Sequence, residues 1–167
     1  MYVVIGNIIA LVASIIMVYT GILKSKKKII YFQTIQLVLF VISNIILGGI
    51  SGAIINAISC IRNILCYKNR LNALAKIFIS VASIILIIFF NNLGIVGLMP
   101  LIATLSYIWL MTIKDIKKFK YLTMFNMLLW LIYDLYIKSY TSAIFDFLNI
   151  IANFVSIMKI KKWISRF

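Results

Sequence analysis

The 167-residue chain contains no histidine, a single proline (Pro100) and only three acidic residues, all aspartate. The absence of histidine excludes His-based acid–base chemistry and the common zinc and haem ligations. Asp115, Asp134 and Asp146 are scattered and do not make a metal site, and neither a phosphate-binding loop nor a dinucleotide fingerprint occurs. No catalytic residue, metal or cofactor is therefore expected, and the chain does not read as an enzyme. The only two cysteines, Cys60 and Cys66, stand six apart in one apolar run, on different helix faces. They are expected to be free thiols, with neither a disulfide nor a metal between them.

Apolar residues fill the space that polar ones leave. Hydrophobic residues make up 65% of the chain, charged residues 12%, and the mean hydropathy is +1.14. A soluble domain of this size could not bury that much apolar surface. Apolar runs near the ~20 residues of a spanning helix recur along the whole length. The first run is preceded by no basic segment and followed by no small-residue cleavage site, so it reads as a span and not a signal peptide. The formal net charge of +14 would suit nucleic acid, but its placement does not. Lysines cluster between the apolar runs, as KSKKK (24–28), KDIKKFK (114–120) and KIKKWISRF (159–167), the pattern that retains loops on the cytoplasmic side of a membrane. The expected partner is the lipid bilayer, with no nucleic acid.

Seven spans follow, over 3–23, 29–47, 50–67, 77–93, 95–113, 121–137 and 140–158, broken at the Lys clusters, at Gly48-Gly49, at NNLG (91–94) and at KSY (138–140). With the amino terminus outside, fifteen Lys and Arg residues fall on the inner side and only Lys138 on the outer, while Arg62 lies within a span. That bias predicts an N-out, C-in topology.

A shift of ninety residues aligns the chain on itself without a gap. Leu11 falls on Leu101, Ala13 on Ala103, and Lys24, Lys27, Lys28 and Tyr31 on Lys114, Lys117, Lys118 and Tyr121. Asn44 meets Asp134, Ala53 meets Ala143, Asn56 meets Asp146 and Asn63 meets Asn153. The predicted architecture is an all-α integral membrane protein: a triple-helix repeat (1–72), a linker helix (73–94) and a second triple-helix repeat with a basic tail (95–167). A unit of three spans ends on the side opposite its start, so a single crossing is needed to set both units parallel. The result is a 3+1+3 repeat about an axis along the membrane normal, an arrangement found among transporters.

Both third helices carry a polar stripe. Gly52, Asn56, Ser59, Asn63 and Cys66 follow steps of four, three, four and three, and so do Ser142, Asp146, Asn149, Asn153 and Ser156. Each set shares one helix face, which is too polar to face lipid. The two stripes are expected to face one another across the central axis, lining a path or gluing helices by hydrogen bonds. Asp146, a carboxyl near the middle of a span, would bind a donor-rich solute, carry a proton, or sit protonated and hydrogen-bonded. Arg62 lies about 9 Å deeper than Asp146 by helical rise. It is expected to snorkel towards the inner face more readily than to pair. Asn44 and Asp134 fall near the outer ends of spans two and six. An intramembrane enzyme using Asp134 and Asp146 would need both at one depth; they stand on different helices in the same outer half, and nothing else in the sequence supports it. Gly49, Ala53 and Ala57 mark a face of span three suited to close packing.

This plan is similar to the SWEET sugar facilitators and the PnuC-type vitamin transporters of the PQ-loop superfamily. More narrowly, KSKKKIIYFQ (24–33) followed by LGGISGAIINAISCIRNIL (47–65) resembles the YgjV family of bacterial inner-membrane proteins. The resemblance implies the bacterial inner membrane. By analogy with the third-helix asparagines of SWEET-like transporters, it implies solute contacts at Asn56, Asn63, Asp146 and Asn153, with Asn149 beside them. Ser59, Ser142, Arg62, Asn44 and Asp134 are candidate path-lining residues. The chain departs from the SWEET pattern in having Ala10 where the first repeat would carry proline, and it has no Pro-Gln pair. Pro100 is then the one candidate hinge. The function expected is transport of a small polar solute, by a facilitator or an ion-coupled carrier. The alternative is a receptor, structural or assembly protein on the same fold. Homo-oligomers are open to either, although two repeats in one chain already supply the symmetry that single-repeat relatives obtain by pairing.

Overall fold

The computed structural model describes the backbone of residues 1–22, 26–110 and 116–164. Much of the basic character predicted for the inner side, at 24–27, 114–117 and 159–167, lies outside the residues whose side chains are described, as does Ser156. The described residues contain seven helices of twelve residues or more and one single turn. These are α1 (Tyr2–Ile22), α2 (Lys26–Ile46), α3 (Ile50–Tyr67), α4 (Ala73–Phe90), the turn α5 (Gly94–Gly97), α6 (Met99–Leu110), α7 (Ile116–Tyr136) and α8 (Tyr140–Ile164). Helices suit a chain this apolar, because inside a bilayer each backbone N–H and C=O must find its partner within the segment. Three of them, α1, α3 and α4, are long and apolar enough to cross a membrane, and shorter apolar helical stretches run over Ile30–Ile46, Gly94–Trp109 and Tyr140–Val155.

The helix ends coincide under the ninety-residue shift. Both bounds of α2 map onto those of α7, and the start of α3 maps onto the start of α8. The turns between them are alike in detail. Gly48 and Lys138 both take left-handed φ, 77° and 62°. The next amide reaches back five residues in each case, Gly49 N to Asn44 O at 2.7 Å and Ser139 N to Asp134 O at 2.8 Å. Gly48 N and Lys138 N reach back three, to Ile45 O and Leu135 O. This double bond is the Schellman motif, which satisfies the last carbonyls of a helix and favours glycine at the left-handed residue. Asn69, with φ 54°, ends α3 in the same way.

Packing closes the helices into a ring. α1, α2 and α3 pack in series, α6, α7 and α8 pack in series, and the two groups join where α1 meets α8 and α3 meets α6. In that order α3 stands across the ring from α8, and α2 from α7. α4 leans on α3 and α6 from outside. It breaks the equivalence of the two halves. Leu101 is 8% exposed, under Ile87 of α4 and beside Ile55, whereas its counterpart Leu11, with no helix over it, is 42% exposed. Ile108 and Ile58 are covered by Ile79 in the same way, while Val18 and Leu148 at the equivalent places are exposed.

Three expectations need adjustment. The fifth span is divided, because the chain breaks at Leu98 between α5 and α6, and Pro100 sits in the first turn of α6. A proline there costs no helical hydrogen bond. α8 continues as helix through the stretch expected to be a tail, to Ile164. On α3, Gly49 and Ala53 are buried but Ala57 is exposed, so close packing is confined to the first turns.

Candidate functional site

The end of the ring that carries the tight turns at 47–49 and 137–139 is tied by paired polar groups. α7 sends Tyr133 across to α3, where Tyr133 Oη accepts from Gly52 N at 2.7 Å, one of the orphan amides of the first turn. The residues beneath it must be glycine. A Cβ at Gly49 would lie 2.5 Å from Tyr133 Oη, and one at Gly52 would lie 2.6 Å from Tyr133 Cε1 and 2.7 Å from Asn44 Nδ2. The opposite half solves the same problem with three small hydroxyls. Ser43 stands at the position of Tyr133 and donates to Gly6 O at 2.8 Å. Ser139 and Ser142 stand at those of Gly49 and Gly52, 2.9 Å apart.

Two asparagines complete the tie. Asn7 on α1 holds the start of α8, accepting from Thr141 N at 2.9 Å and donating to Lys138 O at 2.9 Å. In the other half, the position of Asn7 is Gly97, and Asn91 from the end of α4 supplies the missing carboxamide. Its Oδ1 lies where a Cβ on Gly97 would be, and it accepts from the hydroxyl of Ser51, the counterpart of Thr141, at 3.1 Å. Asn92 Nδ2 donates to Gly48 O at 3.1 Å.

Below these ties the two described carboxyls meet. Asp134 on α7 and Asp146 on α8 are both buried and hydrogen-bond to each other side chain to side chain. A hydrogen bond between two carboxyls requires a proton, so the pair holds at least one. Asn44 and Asn56, the residues at the same repeat positions, are buried as well.

The polar stripes face inwards. On α3 the exposed residues Ala57, Ile61 and Ile64 lie on the side away from Gly52, Asn56, Ser59 and Asn63, which are all buried. On α8, Ile144, Phe147, Ile151 and Phe154 are exposed, and Ser142 and Asp146 are buried on the other side. Asn149 and Asn153 are half-buried and turn their amides onto their own helix, Asn149 Nδ2 to Phe145 O and Asn153 Nδ2 to Asn149 O, each at 2.9 Å. Arg62 does not pair with Asp146 and reaches residues on the inner side of its own position. Its guanidinium lies 5.4 Å from the ring centroid of Tyr107 on α6, and Nη2 donates to Asn63 Oδ1 at 3.2 Å. The partner of Asp146 is Asp134.

Residues outside the stripes also belong to the interior. Gln36 on α2 and Asn126 on α7, ninety apart, are buried on the side away from the exposed Val38, Ile42, Leu128 and Ile132. Gln36 Oε1, Asn126 Nδ2, Asn63 Nδ2 and Ser14 Oγ have no hydrogen-bond partner among the described residues. The repeat offset already pairs Gln36 with Asn126, a polar-on-polar match as informative as those of the stripes. Tyr133 left no such signal, since serine stands at its repeat position.

A cavity of about 270 Å³ opens at the turn end, lined by Val3, Leu47, Gly48, Leu93, Tyr136, Ile137 and Lys138. Six of these seven form three pairs ninety residues apart, Val3 with Leu93, Leu47 with Ile137 and Gly48 with Lys138. The cavity therefore lies where the two halves adjoin.

A family model described as a bacterial inner membrane protein, Imp-YgjV, matches residues 4–163, nearly the whole chain. No curated protein and no solved structure matches it.

Proposed function

Because the chain belongs to the Imp-YgjV family of bacterial inner membrane proteins, we propose that its ring of helices is a path for a small polar solute across that membrane. The observation that carries this reading is the inward aim of both polar stripes, with apolar residues on the outward faces of α3 and α8. The architecture is a parallel 3+1+3 repeat. α1 to α3 form one unit, α6 to α8 the other, and α4 is the linker, with the amino terminus outside and the turn end at the outer surface. The matching helix bounds, the like Schellman turns and the paired lining of the outer cavity support it. The ties around Tyr133, Asn7 and Asn91 close the outer side, and opening it requires that the two units rock apart there, with the break at Leu98 before Pro100 as a hinge. Asn56, Asn63 and Asp146 line the path, and Asn149 and Asn153 offer it their amide oxygens. The carrier works as a facilitator or with an ion, and it acts as one chain or as a homo-oligomer.

One observation favours the competing reading, a non-transporting receptor or assembly protein. The amide groups of Asn149 and Asn153 are spent on their own helix. The two readings separate by thiol access. In a variant with Cys60 and Cys66 replaced and Asn149→Cys introduced, membrane-impermeant reagents are expected to label residue 149 from both sides. Silence from both sides in a folded protein would sink the path.

A further inference from the structure

Among the described residues, the buried side-chain polar atoms without a partner lie close to one depth. Counted from the turn end at 1.5 Å per residue, Gln36 and Asn126 lie about 15 Å down, Ser14 and Arg62 about 18 Å and Asn63 about 20 Å. The layer is thus near the middle of a hydrocarbon core about 30 Å thick. Above it, Tyr133, Asp134, Asp146, Asn7, Asn91, Ser43 and Ser139 all have partners. A buried polar atom left unmade costs about 1–3 kcal/mol. Four such atoms at one depth, each on a residue at least nine-tenths buried, therefore ask for a ligand.

The geometry fixes what the layer offers. Arg62 donates to Asn63 Oδ1, which turns the Asn63 amide so that its N–H groups face away from the guanidinium. Ser106 Oγ lies 2.7 Å from Asn126 Oδ1 and 2.9 Å from Ala103 O and has one hydrogen for the two, so whichever way the Asn126 amide is turned, one of its two polar atoms stays unmade. The Arg62 guanidinium is the only charge at this depth among the described residues. Both carboxyls that might have neutralised it are engaged with each other nearer the turn end. With Asn126 Nδ2 as the unmade atom, the N–H donors of Asn63 and Asn126 and a cation face two acceptors, Gln36 Oε1 and the Ser14 hydroxyl, which can also donate.

We propose that Ser14, Gln36, Asn63 and Asn126, with the Arg62 guanidinium behind Asn63, form a binding site for a small solute that carries a carboxylate together with a hydrogen-bond donor. The carboxylate takes the Asn63 and Asn126 amides in the field of Arg62, and the donor goes to Gln36 Oε1. Hydroxy acids and amino acids have this chemistry. The inference deepens the transport reading and rests on it for its solute, but binding at the site is read separately from flux.

Purified full-length protein in detergent is heated with L-lactate, L-glycerate or L-serine, and with the uncharged lactamide and glycerol. At least one acid is expected to raise Tm in a saturable way, while lactamide and glycerol do not. In Gln36→Leu and Asn126→Leu, the ligand-free Tm is expected to stay or rise, because an unmade polar group is removed, while the apparent affinity for the acid falls about tenfold or more. A ligand-free Tm that falls in both variants would make these residues helix glue and overturn the site. Indifference to every acid, or equal stabilisation by lactamide, overturns it too. Binding of an acid without flux in proteoliposomes would count against transport and leave the site standing.

Discussion

At the level of single residues, the two halves of the chain show which polar contacts the fold can exchange. Asp134 and Asp146 hydrogen-bond to each other in one half, and Asn44 and Asn56 occupy the same positions in the other. Asparagine has nearly the shape of a protonated aspartate and keeps both donor and acceptor. Asp146→Asn is therefore expected to hold the fold, with Tm in detergent close to wild type. Asp146→Leu leaves the buried Asp134 carboxyl without its partner and should lower stability by about 1–3 kcal/mol. Equal Tm for the two variants would mean that the carboxyls do not depend on each other. The stripe residues Asn56, Asn63 and Asp146 were legible because polar residues at helical spacing stand out in so apolar a chain. The Asp134–Asp146 contact was not legible, because the sequence placed the two residues only in the same outer half of different helices. The partners of Arg62 were not legible, because they depend on where α6 places Tyr107 and on the rotamer of the next residue along α3.

At the level of helices, the start of α3 and the end of α7 are fitted to each other by an exchange of volume. Gly49 and Gly52 lie under Tyr133 in one half, while Ser139 and Ser142 are matched by Ser43 in the other. The repeat register exposes the exchange only once Tyr133 is known to cross to α3, which no periodicity on α7 announces. Helix bounds were more accessible. Most ends of the runs predicted from hydropathy and Lys clusters lie within about four residues of the observed helix ends, because lipid enforces helix wherever the run is apolar, whereas α7 starts earlier and α8 runs further, into basic sequence. The break at Leu98 escaped notice, since the residues around it are apolar as well. Gly52→Ser is expected to destabilise by about 1–3 kcal/mol, the usual cost of an overpacked core. Adding Tyr133→Ser reproduces the serine arrangement of the other half and should recover part of that loss in thermal unfolding. Additive losses in the double variant would show that residues 52 and 133 do not oppose each other as a pair.

At the level of the whole molecule, the ring gathers most of the described cations at one end, and the proposed sidedness rests on that charge distribution. The turn end gathers the 48 and 138 turns around one cavity, and among the described residues its one basic side chain is Lys138. The opposite end receives Lys28, Lys68, Arg70, Lys76, Lys118 and Lys120. Translocating that end would carry many cations across the membrane, whereas the turn end carries almost none. The parallel repeat proposed above adds a constraint that charge alone does not supply, because under it residues ninety apart share a side. In a chain cleared of its own cysteines, Gly48→Cys and Lys138→Cys should both react with an impermeant thiol reagent on intact cells. Lys28→Cys and Lys118→Cys should react only after the membrane is opened. Labelling of all four in the reverse sense would invert the molecule and keep the repeat. Labelling that separates Lys28→Cys from Lys118→Cys would break the parallel arrangement itself, since α2 and α7 would then enter the membrane from opposite faces, and no rocking of two like units could follow.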